Sequence, residues 1–223
     1  MAGTLYMVAT PIGNLGDISE RARETLRAVS LLACEDTRVT AKLLAHLELR
    51  KSLLALHHHS PARVVEQVLA RLRAGEDVAY ASDAGTPGLA DPGGKLVQAA
   101  AQAGFAVVPI PGPSAVTAAL SVAGVPANSY LFLGYPPHKK GRKKFFAEVA
   151  ASSHAVVFFE ATHRILKTLG ELGSVVGTRP MVVCRELTKM YETVYRGTAL
   201  EIVEQLKASS IKGEFVIVVA PQK

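Results

Sequence analysis

The chain has 223 residues, 49% of them apolar and 20% charged, with a net charge of +6 at neutral pH. That balance excludes a disordered chain, and no apolar run approaches the ~18 residues of a membrane helix, so no membrane partner is expected. The length allows one large domain or two small ones, and the excess of cations hints at a polyanionic partner without establishing one. The opening Met-Ala-Gly-Thr-Leu-Tyr does not read as a signal peptide. Cys34 and Cys184 lie in apolar contexts and read as small buried hydrophobes. A soluble cytoplasmic α/β protein is expected.

Apolar runs alternate with helical periodicity from one end to the other. Residues 4–10 read as a strand ending at Pro11-Ile12-Gly13-Asn14, after which Asp17 or Ser19 caps a helix through about Val29. Ser30–Cys34 is a strand leading into Glu35-Asp36-Thr37-Arg38 and a helix through Leu47. Leu53–Leu56 is a short strand, and Ser60-Pro61 reads as cap and first-turn proline of a helix ending at Gly75. The strand Asp77–Ala81, the loop Ser82–Gly94, an Ala-rich helix and the strand Phe105–Ile110 follow.

The stiff Pro111-Gly112-Pro113 marks a domain boundary, giving residues 1–112 a mostly parallel sheet and residues 113–223 a mixed one. In the second half, strands are expected near 130–134, 154–159, 181–186, 192–197 and 214–220, with helices at 114–123, 143–151, 161–172 and 198–207. Too few residues separate the third and fourth of these strands for a helical crossover, so they should pair antiparallel or lie apart in the mixed sheet.

In open α/β sheets, ligands gather at the carboxyl ends of strands. Ser82–Gly94 is the strongest candidate loop: its four glycines and two prolines bring a stiff backbone close to a ligand, and Asp83 and Asp91 add carboxylates. A nucleoside triphosphate fits it poorly, because Lys95 stands one place too far for a phosphate loop and two aspartates repel phosphate. A cationic or neutral polar ligand suits it better. Lys139, Lys140, Arg142, Lys143 and Lys144 crowd like charges after Gly134-Tyr135-Pro136-Pro137, against the dipole of the helix they begin, which points to phosphate. His57, His58 and His59 alternate faces in an extended segment and make a poor metal site, so no metal is expected. Charged residues also stand at strand borders in Phe158–Arg164, in Arg185–Lys189 and in Lys212–Phe215. They are compatible with plain ion pairs or with an interdomain cleft.

Taken in order, VATPIGNLGDI (Val8–Ile18), EDTR (Glu35–Arg38), SDAGTP (Ser82–Pro87) with DPG (Asp91–Gly93), PGPSA (Pro111–Ala115), the basic loop, RELTK (Arg185–Lys189) and KGEF (Lys212–Phe215) resemble the ribosomal small-subunit methyltransferase I family of the tetrapyrrole methylase superfamily. The resemblance covers essentially the whole chain. It implies two α/β domains with a cofactor cleft between them, a homodimer, and S-adenosylmethionine-dependent 2′-O-methylation of a cytidine ribose in 16S ribosomal RNA or the small ribosomal subunit. It assigns the cofactor to Pro11, Ile12, Asp83, Thr86, Ser114, Ala115, Phe159 and Glu214. Lys139, Lys140, Arg142, Arg164 and Lys189 become candidates for holding RNA. Two departures stand out: Gly88-Leu89-Ala90 replaces a commoner isoleucine–serine pair, and many members continue in a helical extension beyond the point matching Lys223.

Methyl transfer to a weakly acidic ribose hydroxyl calls for alignment and for help with the departing proton. By residue type the candidates are Asp36, Glu186 and Lys189, and the sequence does not choose among them. Lysine could stabilise an alkoxide, or act as a base if its pKa is lowered. Two other functions use the same fold: methylation of a small tetrapyrrole, and non-catalytic RNA binding.

Overall fold

Four-residue apolar strands spaced by amphipathic helices build the first of two units into which the chain divides, Met1–Ser114 and Ala115–Lys223. The structure is a computed structural model and describes residues 2–222. In the first unit β1 (Leu5–Val8), β2 (Leu31–Cys34), β3 (Ser52–Ala55), β4 (Val78–Ala81) and β5 (Val107–Ile110) form an all-parallel sheet in the order β3-β2-β4-β1-β5. The helices α1 (Glu20–Ala28) and α2 (Thr37–His46) cover one face, where Ala22, Leu26, Leu43 and Leu44 pack on Val8, Leu32 and Ala79. The helices α3 (Ala62–Arg73) and α4 (Gly93–Gln102) cover the other, where Val68, Leu72, Leu96 and Ala100 meet Leu5, Met7 and Tyr80. Alternation along β1 thus feeds both faces, as a parallel sheet buried on both sides requires. Each fully buried leucine contributes about 1.5–3 kcal/mol.

The second unit begins with α5 (Ala115–Ala123) and continues through β6 (Tyr130–Phe132), α6 (Arg142–Ala151), β7 (Ala155–Ala161), α7 (Ile165–Val176), β8 (Met181–Arg185), β9 (Thr193–Gly197), α8 (Ala199–Ala208) and β10 (Glu214–Val219). Its sheet runs β6-β7-β10-β8-β9 and is mixed, with only β6 and β7 parallel. The short link between β8 and β9 makes them an antiparallel hairpin, Arg185 opposite Thr193. One sheet face packs on α6, α7 and α8 around Phe146, Phe158, Leu169, Ile202 and Phe215; α5 covers the other through Val116, Ala119 and Ala123. Thr198 and Glu201 close a reciprocal capping box on α8.

Three local expectations change. The helix placed at 161–172 is α7, Ile165–Val176, because β7 runs on to Ala161. The first strand stops at Val8, because the backbone of Thr10 turns away to pair with Gly85. The Ser60-Pro61 pair does not open its helix as cap and first-turn residue. Pro61 itself is the cap residue, and the Ser60 hydroxyl accepts the backbone N–H of His57 at 2.9 Å, closing a turn over the histidines.

Candidate active site

The strand order sets the carboxyl ends of β4, β1 and β5 side by side, so the three loops that follow them converge within the first unit. Thr10 and Gly85 exchange two backbone hydrogen bonds, each 3.0 Å, joining the first loop to the second. The Thr10 hydroxyl, buried, donates to the carbonyl of Ser82, and the Ser82 hydroxyl donates to those of Ala84 and Gly85. The Thr86 hydroxyl donates to the Pro113 carbonyl at 3.0 Å, joining the second loop to the third. Gly85 takes a φ of +79°, and a Cβ there would stand 3.3 Å from the Ile12 side chain, so glycine keeps this junction tight.

Pro11, Ile12, Asp83, Thr86 and Ser114 therefore lie on three loops laced into one surface. Pro11 is buried; Ile12, Asp83, Thr86 and Ser114 are half-buried. Asp83 accepts the backbone N–H of Asp36 at 2.9 Å, which fixes the end of β2 to that of β4. Burial raises the Asp83 carboxyl. Asp91 is spent on its own loop: one oxygen takes the N–H of Gly93 at 2.7 Å and the other that of Gly88 at 2.8 Å. Thr10 and Ser82, which do the lacing, lie within VATPIGNLGDI and SDAGTP, but nothing local in the sequence marks their hydroxyls as the laces.

Asp36 caps α2 and binds Arg38, whose side-chain and backbone N–H groups hold its carboxyl down at about 2. A carboxylate so stabilised accepts protons weakly, which counts against a base role. The neighbouring Glu35 moves the opposite way: burial, then Asp83 and Asp91, raise its carboxyl.

The remaining candidates lie in the second unit. Ala115 starts α5. Phe159 packs edge-on against Phe132, with ring centres 5.0 Å apart, and against Tyr135 at 5.4 Å. Lys189 reaches Glu186 and Glu214, each at 2.9 Å. Burial alone would lower this ammonium, but the hydrogen bonds and charges of Glu214 and Glu186 outweigh it and raise the pKa. Lys189 is thus a lasting cation and not a base. Glu186 is lowered: burial pushes up, but the Glu214 N–H and Lys189 pull down harder. Glu186 and Thr188 sit at φ +53° and +64°, a backbone strain of about 1–3 kcal/mol each.

Arg142 and Arg164 are not free to hold RNA, which corrects the sequence expectation. Arg142 is only 7% exposed. It pairs with Glu171 at 2.6 Å, donates to Thr168 at 2.7 Å and to the Pro137 carbonyl at 3.2 Å, and lies over the Phe146 ring. Arg164 pairs with the buried Glu160 at 2.7 Å and donates to the Pro136 carbonyl at 3.0 Å. Thr168 donates to Glu160 and completes the chain. Both guanidinium groups point inward, Arg142 to Glu171 and Thr168 and Arg164 to Glu160, and together they clamp the proline turn from beneath. Lys139, Lys140, Lys143 and Lys144 remain exposed on that turn and the helix start it leads into. The Glu160–Arg164–Thr168 spacing of four residues was the one available sign of this network.

Among the described residues no helix is long and apolar enough to cross a membrane. The sequence profile described as Tetrapyrrole (Corrin/Porphyrin) Methylases matches residues 4–203, and the chain belongs to that family. Among curated relatives, the "Ribosomal RNA small subunit methyltransferase I" of Xylella fastidiosa strain Temecula1 is 48% identical over 97% of this chain and 81% of its own length. The protein so named from Escherichia coli O157:H7 is 44% identical over 99% of this chain and 79% of its own length. Among solved structures, a cobalt precorrin-4 methyltransferase superposes with a TM-score of 0.73 at 17% identity, covering 97% of this chain and 94% of that one. The uroporphyrin III C-methyltransferase of Thermus thermophilus gives 0.67 at 18% identity, covering 97% of each. At such identities these two speak to the fold alone.

Two measurements check this description. Glu160→Ala should lower the unfolding free energy in urea by about 3–5 kcal/mol, since it strands a buried guanidinium, whereas Lys189→Ala should cost about 1 kcal/mol or less. Equal losses would contradict the assignment of Glu160 to the interior. The Asp36 carboxyl should titrate by NMR near 2, below its ordinary 3.8. Its contribution to stability is therefore whole above that ordinary value and fades as pH falls toward about 2.

Proposed function

We propose that this chain is a cytoplasmic, homodimeric methyltransferase that uses S-adenosylmethionine to methylate the 2′-hydroxyl of a cytidine ribose in the 16S RNA of the small ribosomal subunit. The observation that carries the reading is the convergence of Pro11, Ile12, Asp83, Thr86 and Ser114 on three laced loops, in a chain 48% identical to a ribosomal RNA methyltransferase. The loops fit the cofactor by their chemistry. They carry carboxylates and no phosphate-loop lysine. A sulfonium cation with hydroxyl and amide-like groups matches that donor set.

When bound, S-adenosylmethionine supplies a methyl group already activated by its positive sulfur. The protein then has mainly to align the two partners, an effect worth about 7–11 kcal/mol. Asp83 and Thr86, fixed by the lacing, orient the donor; Ala115, Phe159 and Glu214 are assigned to it by resemblance. As the ribose oxygen takes the methyl its proton passes to solvent water, and Lys189, an ammonium bridging Glu186 and Glu214, offsets negative charge developing on that oxygen. Asp36 serves by capping α2 and tying it to Asp83. The four exposed lysines of the proline turn hold phosphate. A tetrapyrrole's carboxylates would also suit those lysines, and it is the 48% identity to a ribosomal RNA methyltransferase that favours RNA over the alternative substrate.

Mass-spectrometric mapping of small-subunit ribosomal RNA incubated with the protein and S-adenosylmethionine should find one new ribose-methylated cytidine. Methyl on a base, or none at all, would refute the assignment. Lys139→Glu with Lys140→Glu should cut methylation and lower the salt dependence of RNA binding by about two phosphate contacts, with cofactor affinity unchanged in calorimetry.

A further inference from the structure

The registers of the second sheet bring four connections to one end of it. Ala161 stands opposite Glu214, Phe215 opposite Arg185, and Arg185 opposite Thr193. The exits of β6 and β7, the entry to β10 and the β8–β9 loop therefore share that end. They are stitched together: Thr162 and Gly213 exchange hydrogen bonds, Glu214 N–H donates to Glu186 at 2.9 Å, and Arg164 holds the Pro136 carbonyl.

At this end two large apolar side chains stand in water. Met190 is 88% exposed and Tyr191 is 67% exposed. Their loop is not slack. The Lys189 N–H donates to the Glu186 carbonyl at 3.0 Å and the Glu192 N–H to the Lys189 carbonyl at 3.1 Å. The Thr188 N–H donates to the Glu192 carboxylate at 2.6 Å. The Tyr191 carbonyl accepts from the buried Arg185 and from the Thr193 hydroxyl, each at 3.2 Å. The backbone beneath the ring is thus fixed on both sides while the ring is left bare.

The carboxylates beside the ring are tied down, Glu186 and Glu214 by Lys189 and Glu192 by the Thr188 N–H, while the exposed cations of this sheet end, Lys139, Lys140, Lys143, Lys144 and Lys212, carry no such partner among the described residues. A fixed aromatic face on a lysine-rich sheet end is the arrangement that binds single-stranded nucleic acid, with bases stacked on rings and phosphates on cations.

We propose that Tyr191, flanked by Met190, is the stacking platform for an unpaired base of the RNA strand whose phosphates lie on the lysines of the proline turn. Four strand spacings of about 4.8 Å separate β6 from β9, so the platform and the turn are about 19 Å apart, a span of a few nucleotides. This rests on the RNA reading above and adds to it the contact that selects an unpaired strand.

The test uses the full chain, a fluorescein-labelled single-stranded oligocytidylate and a small-subunit ribosomal RNA transcript. Tyr191→Ala should weaken binding of both about tenfold, while Tyr191→Trp retains wild-type affinity. The salt dependence of binding should be the same in Tyr191→Ala as in wild type, because a stacked base releases no counterions. Wild-type affinity in Tyr191→Ala would overturn the proposal. So would a shift of Tyr191→Ala from dimer to monomer in sedimentation velocity with RNA affinity unchanged, which would assign the ring to a second copy. Wild-type protein that binds neither RNA would overturn the RNA reading itself, and this inference with it.

Discussion

The paired backbone hydrogen bonds between Thr10 and Gly85 are the interaction on which the candidate site depends. A parallel sheet places the ends of β1, β4 and β5 next to one another, but neighbouring loops still have the freedom to splay into solvent. The Thr10–Gly85 bridge, the hydroxyls of Thr10 and Ser82 beneath it, and the Thr86 hydroxyl on Pro113 remove that freedom. Gly85 is required at the junction by its positive φ and by the Ile12 side chain beside it. The entropy of ordering these loops is met during folding and not on ligand binding, which is how a loop-built site becomes preorganised.

The second unit solves a similar problem with charge. A turn and helix start bearing four exposed lysines between them repel themselves, and α6 begins without a side-chain cap at Gly141. Arg142 and Arg164 counter this from below by donating to the carbonyls of Pro137 and Pro136, and Glu171 and Glu160 neutralise them in turn, with the Arg164 Nε left buried and without a hydrogen-bond partner among the described residues. Buried ion pairs of this kind gain little net stability, because desolvation offsets attraction, but they fix geometry firmly. The consequence is an outer surface of lysines held on a rigid inner frame.

Much of this was legible in the sequence wherever the pattern was local. The strand–helix alternation of the first half pointed to parallel pairing, and the short link between residues 186 and 192 ruled out a helical crossover, leaving antiparallel pairing as one of two options, the one that β8 and β9 take. Glycine and proline density singled out Ser82–Gly94. What stayed hidden depended on partners distant in the chain. Arg142 reads as one more member of a cationic run until Glu171 and Thr168, some 26–29 residues away, draw it inward. Lys189 reads as a base or a cation until both Glu186 and Glu214 are seen against it. Ser60 has the residue type of a helix cap, yet the turn at His57 competes for its hydroxyl and wins.

The central claim is that the three laced loops of the first unit hold the methyl donor. Hydrogen–deuterium exchange of the full chain, with and without S-adenosylmethionine, tests it without reference to any RNA. Slowed exchange confined chiefly to the amides around residues 10–14, 82–94 and 111–115 is the expected outcome. Exchange at those three stretches left unaltered by saturating cofactor would contradict it.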